Sequence, residues 1–383
     1  MLSIINARPY IDGKIQDITS ININDGKIVS IGDAIYENVF DAKGNIVSAG
    51  FIDIHTHGGF GKDCIEASRD AIETICKYQL HTGTTAFYPT TMTAPIKDIE
   101  AAIDSIREYS KENKYSKILG VHLEGPYLSK GAAGAHKKEL LLDPIDENTK
   151  FVFDNKDIVK RVTLAPNKNN SSAFTKKAVD SGIQVSLGHD ESIDDEIYAC
   201  IENGATSVTH MYNCTSRPSR RNNPKKHLGL TEVGLSSDKL YVEVIADDKH
   251  VPNELFKMIY KLKGADKICL VSDSLSISGC IAGEFYIGSG DSKQHIVVDD
   301  GVAVIEELNT YAGSITPIAK MAEGLCGFGI DKESILKMVT INPAKLMNLD
   351  NIGDIKVGYA ADLNILDDNL KLINTIFKGE VLL

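Results

Sequence analysis

Six of the ten histidines, His55, His57, His122, His189, His210 and His250, stand at or just beyond the ends of short apolar segments. Acidic side chains stand beside them: His122-Leu123-Glu124-Gly125-Pro126, Gly188-His189-Asp190 and Ser272-Asp273-Ser274. Imidazoles and carboxylates gathered at one rim are ligands for a divalent metal. His55 and His57 are two residues apart, so on a strand both rings project from one face and can grip one ion. Taken alone, such a pair reads equally well as two surface histidines; the recurrence at other segment ends favours the metal. Glu124 then becomes a ligand able to bridge two ions, with His189 and His210 serving the other. His122 is either a further ligand or a residue that orients one. Asp273 is the candidate acid/base, able to take a proton from a metal-activated water and hand it to a leaving amine. Its plainer reading is the cap of a following helix.

Such residues need a scaffold that brings many strand ends together. Eight apolar segments read as strands: 51–57, 84–89, 118–123, 161–165, 184–188, 207–211, 240–246 and 267–272. Amphipathic stretches at 68–82, 96–111, 192–203 and 252–263 lie between some of them, which implies parallel strands with crossover helices. The expected fold is α/β: a (β/α)8 TIM-like barrel over 50–350, with a small β-sandwich domain built from both chain ends, 1–49 and 351–383. In such barrels the active site lies at the C-terminal ends of the strands, where these residues fall. Asp12-Gly13 and Asp25-Gly26 mark hairpins in the first part. Gly353 to Gly358 and Ala361 to Asp367 read as short strands broken by turns in the last. Residues 285–304 resemble an inserted hairpin turning at Asp299-Asp300-Gly301, and helices follow over 315–347.

The chain has 383 residues and a formal net charge of −12. That charge argues against nucleic acid or an anionic membrane as partner, and an anionic substrate would need a local basic patch. The seven cysteines form no Cys-x-x-Cys pair and read as reduced thiols. No signal peptide or membrane-spanning run is recognisable, so the expected location is the cytoplasm.

At these residues the chain resembles the amidohydrolase superfamily. Ala49-Gly50-Phe51-Ile52-Asp53-Ile54-His55-Thr56-His57-Gly58 looks like its opening strand, with alanine at position 49 where proline is usual. More narrowly, nearly the whole chain resembles the N-acetylglucosamine-6-phosphate deacetylases. The resemblance rests on His122 to Pro126, Gly134-Ala135-His136, His210 to Asn213, Ile245-Ala246-Asp247 with His250, Leu270 to Asp273, and Ala312-Gly313-Ser314. It implies Glu124, His189 and His210 as main metal ligands and His55 with His57 as a second-metal pair that some members keep. One or two divalent ions are therefore expected, zinc or iron, with manganese or cobalt as further options.

The resemblance further implies Asp273 as the acid/base, and His250 near the acetyl carbonyl, steadying the oxyanion. Ala135 and His136 match a substrate-contacting loop, Asn213 and the Cys214 backbone a phosphate-binding turn, and Ala312 with Gly313 backbone contacts to the sugar. The expected partner is a small sugar phosphate, and the expected assembly a homodimer. One segment departs from the family. Its usual phosphate-binding arginine motif is replaced by Ser216 to Lys226, which carries Arg217, Arg220, Arg221, Lys225 and Lys226. Arg220 or Arg221 is the candidate phosphate contact; a solvated loop is the alternative. Two rival activities remain: deacetylation of N-acetylgalactosamine-6-phosphate, and a cyclic amidohydrolase of the dihydroorotase or hydantoinase kind. The latter commonly bridges its metals with a modified lysine at the end of the fourth strand, where this chain has Leu164-Ala165-Pro166 and no lysine until Lys168.

Overall fold

The computed structural model describes residues 1–112, 114–221, 224–280, 284–287, 294–299, 301–305 and 310–382. Eight parallel strands form its centre: β1 (Phe51–Thr56), β2 (Thr84–Thr91), β3 (Val121–Glu124), β4 (Val159–Leu164), β5 (Gln184–Leu187), β6 (Ser207–Val208), β7 (Tyr241–Val244) and β8 (Ile268–Leu270). Each pairs with the next in parallel, beginning with β1 on β2. The ring closes just past the strand ends, where Thr56 bridges Ser274 and the Asp273 amide donates to the His55 carbonyl at 2.9 Å. Apolar residues of these strands are almost all buried, as expected of a sheet covered on its outer face by helices and packed within.

The crossover helices are α1 (Arg69–His81), α2 (Ile96–Ser110), α3 (Asp146–Asp154), α4 (Ser171–Asp180), α5 (Asp194–Glu202), α6 (Leu230–Ser236) and α7 (Asn253–Lys263). In α2, Ile99, Ala102, Ile103 and Ile106 recur at helical spacing and are buried against the barrel. The Ser68 hydroxyl accepts from the Ala71 amide at 3.2 Å, satisfying one of the unpaired donors that open α1. Three more helices follow: α8 (Ile318–Gly327), α9 (Lys332–Val339) and α10 (Ile341–Leu346).

Both chain ends meet in one mostly antiparallel sheet. The strand Ile46–Ala49 pairs with Leu363–Leu366 and also with the opening strand Leu2–Ile11. Ile4, Ile21, Ile23, Ile28, Val47, Leu363, Ile365 and Ile376 pack into its own apolar core. Asp12-Gly13 and Asp25-Gly26 turn as expected, with φ of 49° and 84° in the first and 49° and 68° in the second. Gly353 to Gly358 forms no strand. The Asp354 carboxylate accepts from the Asp12 and Ile355 amides, and Lys356 reaches both Asp12 and Asp354, which folds the segment into turns.

The insertion is larger than one hairpin: Glu284–Ile287, Gln294–Asp299, Val302–Ile305 and Thr310–Gly313 form a four-stranded antiparallel sheet. Asp300 of the expected turn lies outside the described residues. β6 is shorter than 207–211, because His210 has φ 27° and breaks the ladder while turning its ring into the mouth of the barrel. His189 (φ 46°) and Asp273 (φ 45°) leave β5 and β8 in the same left-handed way. Strain of this kind gathers at functional sites.

Candidate active site

The C-terminal strand ends bring the acidic and imidazole groups together. Glu124, closing β3, places Oε1 2.9 Å from His210 Nε2 and 3.1 Å from His189 Nε2. The two Nε2 atoms are themselves 3.0 Å apart. The other carboxylate oxygen, Oε2, lies 3.2 Å from His57 Nε2 and 3.5 Å from His55 Nε2. Asp273 completes that side, with Oδ1 3.2 Å from His57 Nε2 and 3.5 Å from His55 Nε2. Glu124 thus spans two groups of donors, and every one of these side chains is almost fully buried.

The partners of the remaining ring nitrogens decide what the rings can do. His189 Nδ1 lies 2.8 Å from the Ala132 carbonyl, His210 Nδ1 3.0 Å from the Asn213 carbonyl, and His57 Nδ1 3.1 Å from the Thr90 carbonyl. His55 Nδ1 lies 3.2 Å from Glu243 Oε2. Each of these oxygens only accepts, so each Nδ1 carries a hydrogen, and a ring that gives up its Nε2 proton turns a lone pair toward Glu124. Lone pairs so close repel one another and the carboxylate unless a cation lies between them. His55 Nε2 is buried without any hydrogen-bond partner. Ligand atoms on a tetrahedral ion, at the usual bond lengths, are about 3.3 Å apart. The residues present therefore fit a divalent metal.

Two buried triads have ligand atoms within 4.8 Å of one another: His55, His57 and Asp273, and Glu124, His136 and His189. Distance alone puts His136 in the second; hydrogen bonding removes it. The Thr93 amide donates to His136 Nδ1 at 3.2 Å, so the hydrogen of the neutral ring is on Nε2, 3.4 Å from Glu124 Oε2. Burial pushes His136 down to about 4, so the ring is neutral and is a donor in the cavity. His210 is the better third ligand. His122 faces neither triad, since its nitrogens meet Thr163 Oγ1 at 2.8 Å and Thr90 Oγ1 at 3.2 Å. Its ring instead packs edge-on against His55.

The model of the amidohydrolase family matches residues 46–382. The chain belongs to the amidohydrolase family. It is 30% identical to the N-acetylglucosamine-6-phosphate deacetylase of Lysinibacillus sphaericus, over 94% of this chain and 92% of that protein. It is 28% identical to the N-acetylgalactosamine-6-phosphate deacetylase of a Shewanella strain, over 100% of this chain and 96% of that one. The crystal structure of N-acetylglucosamine-6-phosphate deacetylase from Pasteurella multocida superposes with a TM-score of 0.91 at 29% identity, covering 100% of this chain and 99% of that one.

In this amidohydrolase a cleft opens onto the ligand cluster. Ala135, His136, Asn213, Cys214, His250, Ala312 and Gly313 line it together with His57, Glu124, His189, His210 and Asp273. Gly134 suits this close approach: at φ 57° a Cβ would lie 3.0 Å from Cys214 Sγ and 3.3 Å from a carbon of the His189 ring. The Gln294 side chain donates to the Ala135 carbonyl at 2.6 Å, tying the inserted sheet to the cleft wall. Asp247 holds His250 through its backbone amide at 2.8 Å and through Nδ1 at 2.7 Å. The phosphate candidates are placed differently. Arg221 donates to Glu196 and to the Glu191 carbonyl, each at 2.6 Å, and Arg220 is exposed; neither lines the cleft. Asn222 and Asn223 of that segment lie outside the described residues.

Burial raises the Glu124 carboxyl, but His55 and the hydrogen bonds from His136, His189 and His210 outweigh it and hold the group well below the usual carboxylate range. Burial also opposes charge on His57, yet Asp273 and Glu124 lift it to about 9. Asp273 is held low by His55 and His57 against its burial and is ionised at neutral pH.

Two charged residues of the site were not singled out from sequence: Arg161 on β4 and Glu243 on β7, both fully buried and paired with each other. Their signal was a charge inside an apolar strand segment. Arg161 lies within β4, short of the strand end where a bridging lysine would be sought, and Lys168 beyond it is engaged by Asp143 at 2.8 Å. No lysine of β4 reaches the site, which counts against the cyclic amidohydrolase reading.

Proposed function

We propose that this amidohydrolase removes the acetyl group of N-acetylglucosamine-6-phosphate, giving glucosamine-6-phosphate and acetate. The observation that carries the reading is the meeting of Glu124, His189 and His210 beside an ionised Asp273 in an open cleft, in a chain whose relatives include such deacetylases. Glu124, His189 and His210 would hold one divalent ion and His55, His57 and Asp273 a second, with Glu124 between them. The ion, zinc or iron, would supply Lewis acidity toward the acetyl carbonyl and make a water acidic enough to attack near pH 7.

The chain's own groups do the rest. Asp273 accepts the attacking water's proton and later delivers it to the sugar nitrogen as the C–N bond breaks. His250, held by Asp247 through Nδ1, lines the cleft at the acetyl end and steadies the oxyanion. His136 donates from Nε2. The Asn213–Cys214 turn takes the phosphate, and Ala135, Ala312 and Gly313 contact the sugar. Among the described residues no lysine or arginine lines the cleft, so the phosphate cation is assigned to Arg220 or Arg221 of a second copy in a homodimer. No described helix is long and apolar enough to cross a membrane, and the reading places the enzyme in the cytoplasm.

Acetate release from N-acetylglucosamine-6-phosphate, its galactose epimer and both sugars without phosphate tests this. Fastest turnover of the first supports it. Preference for the epimer gives the second reading, and equal rates without phosphate reject the phosphate contacts.

A further inference from the structure

Among the four rings that present Nε2 to the cluster, His55 is oriented by a charge. His57, His189 and His210 each donate Nδ1–H to a neutral main-chain carbonyl, whereas His55 donates to the carboxylate of Glu243. Glu243 is fully buried, and its other oxygen is taken by Arg161. Arg161 is itself fixed by Gln184 at 2.8 Å and Ser207 at 3.1 Å, and it donates to the Ile54 carbonyl at 3.0 Å. The pair therefore holds His55 twice, through its ring and through the peptide before it. Neither charge lines the cleft, so neither touches substrate.

We infer that Glu243, locked by Arg161, is the positioning residue that fits His55 to the second cation. A buried ion pair is costly to desolvate and contributes little net stability. A carboxylate on Nδ1 fixes the tautomer and increases the basicity of the opposite nitrogen, making it a stronger ligand. Glu243 thus favours a filled second position without occupying it. The first position is less exposed to change at this residue: the Glu243 side chain meets it only through the His210 amide, which donates to Oε2 across a long 3.5 Å that a glutamine oxygen can keep. Its ring nitrogens are set by Ala132 and Asn213, and the Met211 amide binds the Glu243 main-chain carbonyl at 2.8 Å, a bond that any substitution keeps.

The inference rests on the two-ion reading, and the test separates the two. Full-length protein stripped of metal is titrated with Co(II), following visible absorption and bound metal. The parent should show two binding steps. In Glu243→Gln the second step should weaken roughly 10- to 100-fold while the first is unchanged. Glu243→Gln leaves Arg161 without its counter-charge, so the double variant Arg161→Gln/Glu243→Gln, which removes both charges, is measured beside it and should show the same selective loss. Equal weakening of both steps would make the pair merely structural, and no change in either would remove its role; both results overturn the inference. A single step in the parent overturns it too, while leaving a one-ion hydrolase. No binding at all rejects the hydrolase reading itself.

Discussion

His189 and His210 point their Nε2 atoms at each other across 3.0 Å, and each is held there by a hydrogen bond from Nδ1 to a main-chain carbonyl. Two ring nitrogens facing each other this closely beside the Glu124 carboxylate form an arrangement that a cation relieves. Removing metal with a chelator should abolish turnover and lower the melting temperature, and zinc should restore both. At a free concentration one hundred times its Kd, an ion bound only by the folded state adds about 2.7 kcal/mol. Thermal melts with and without chelator check this; an unchanged melting temperature would sink it.

Asp273 contacts both His57 and His55. Asp273→Asn keeps size and hydrogen bonding but removes the base. The expected outcome is a fall in kcat of about 10²- to 10⁴-fold with the first ion retained. Metal analysis beside steady-state kinetics separates the roles, since loss of all bound metal would make Asp273 chiefly a ligand.

His136 has the spacing of a ligand and the tautomer of a donor. His136→Ala should leave the metal content unchanged and lower kcat/KM about tenfold, the worth of one hydrogen bond near 1.4 kcal/mol. A variant that binds one ion fewer would return His136 to the ligand set.

Asp53 is fully buried under His55, where burial pushes it up to about 6 although Ser272 and the His55 amide donate to it. A carboxyl raised above its unfolded value, 3.8, holds its proton longer in the folded state. Its contribution is therefore least unfavourable below pH 4 and becomes unfavourable as pH rises from about 4 to 6, by roughly 3 kcal/mol in all. The stability difference between the parent and Asp53→Asn should shift against the parent by that order across this window in denaturant titrations. A pH-independent difference would show that Asp53 ionises normally.

Much of this architecture was legible in the chain. Alternation of apolar strands with amphipathic helices is a local pattern, and it gave all eight barrel strands. Asp-Gly at 12–13 and 25–26 specified turns, because both residues tolerate positive φ. Placing histidines and Asp273 after strands put them on one rim, since parallel strands of a barrel all end on the same side.

What strand spacing cannot carry is the identity of each ring's second partner. Glu243 reaches His55 from 188 residues away, and Thr93 reaches His136 from 43. These contacts exist only once the barrel is closed. They decide which nitrogen keeps its hydrogen, and so which histidines bind a cation and which donate. In the same way, Arg221 reads as an available cation in sequence, and only the folded chain pairs it with Glu196. A residue's type and spacing are set locally, whereas its protonation and its partners depend on atoms that tertiary packing brings within about 3 Å.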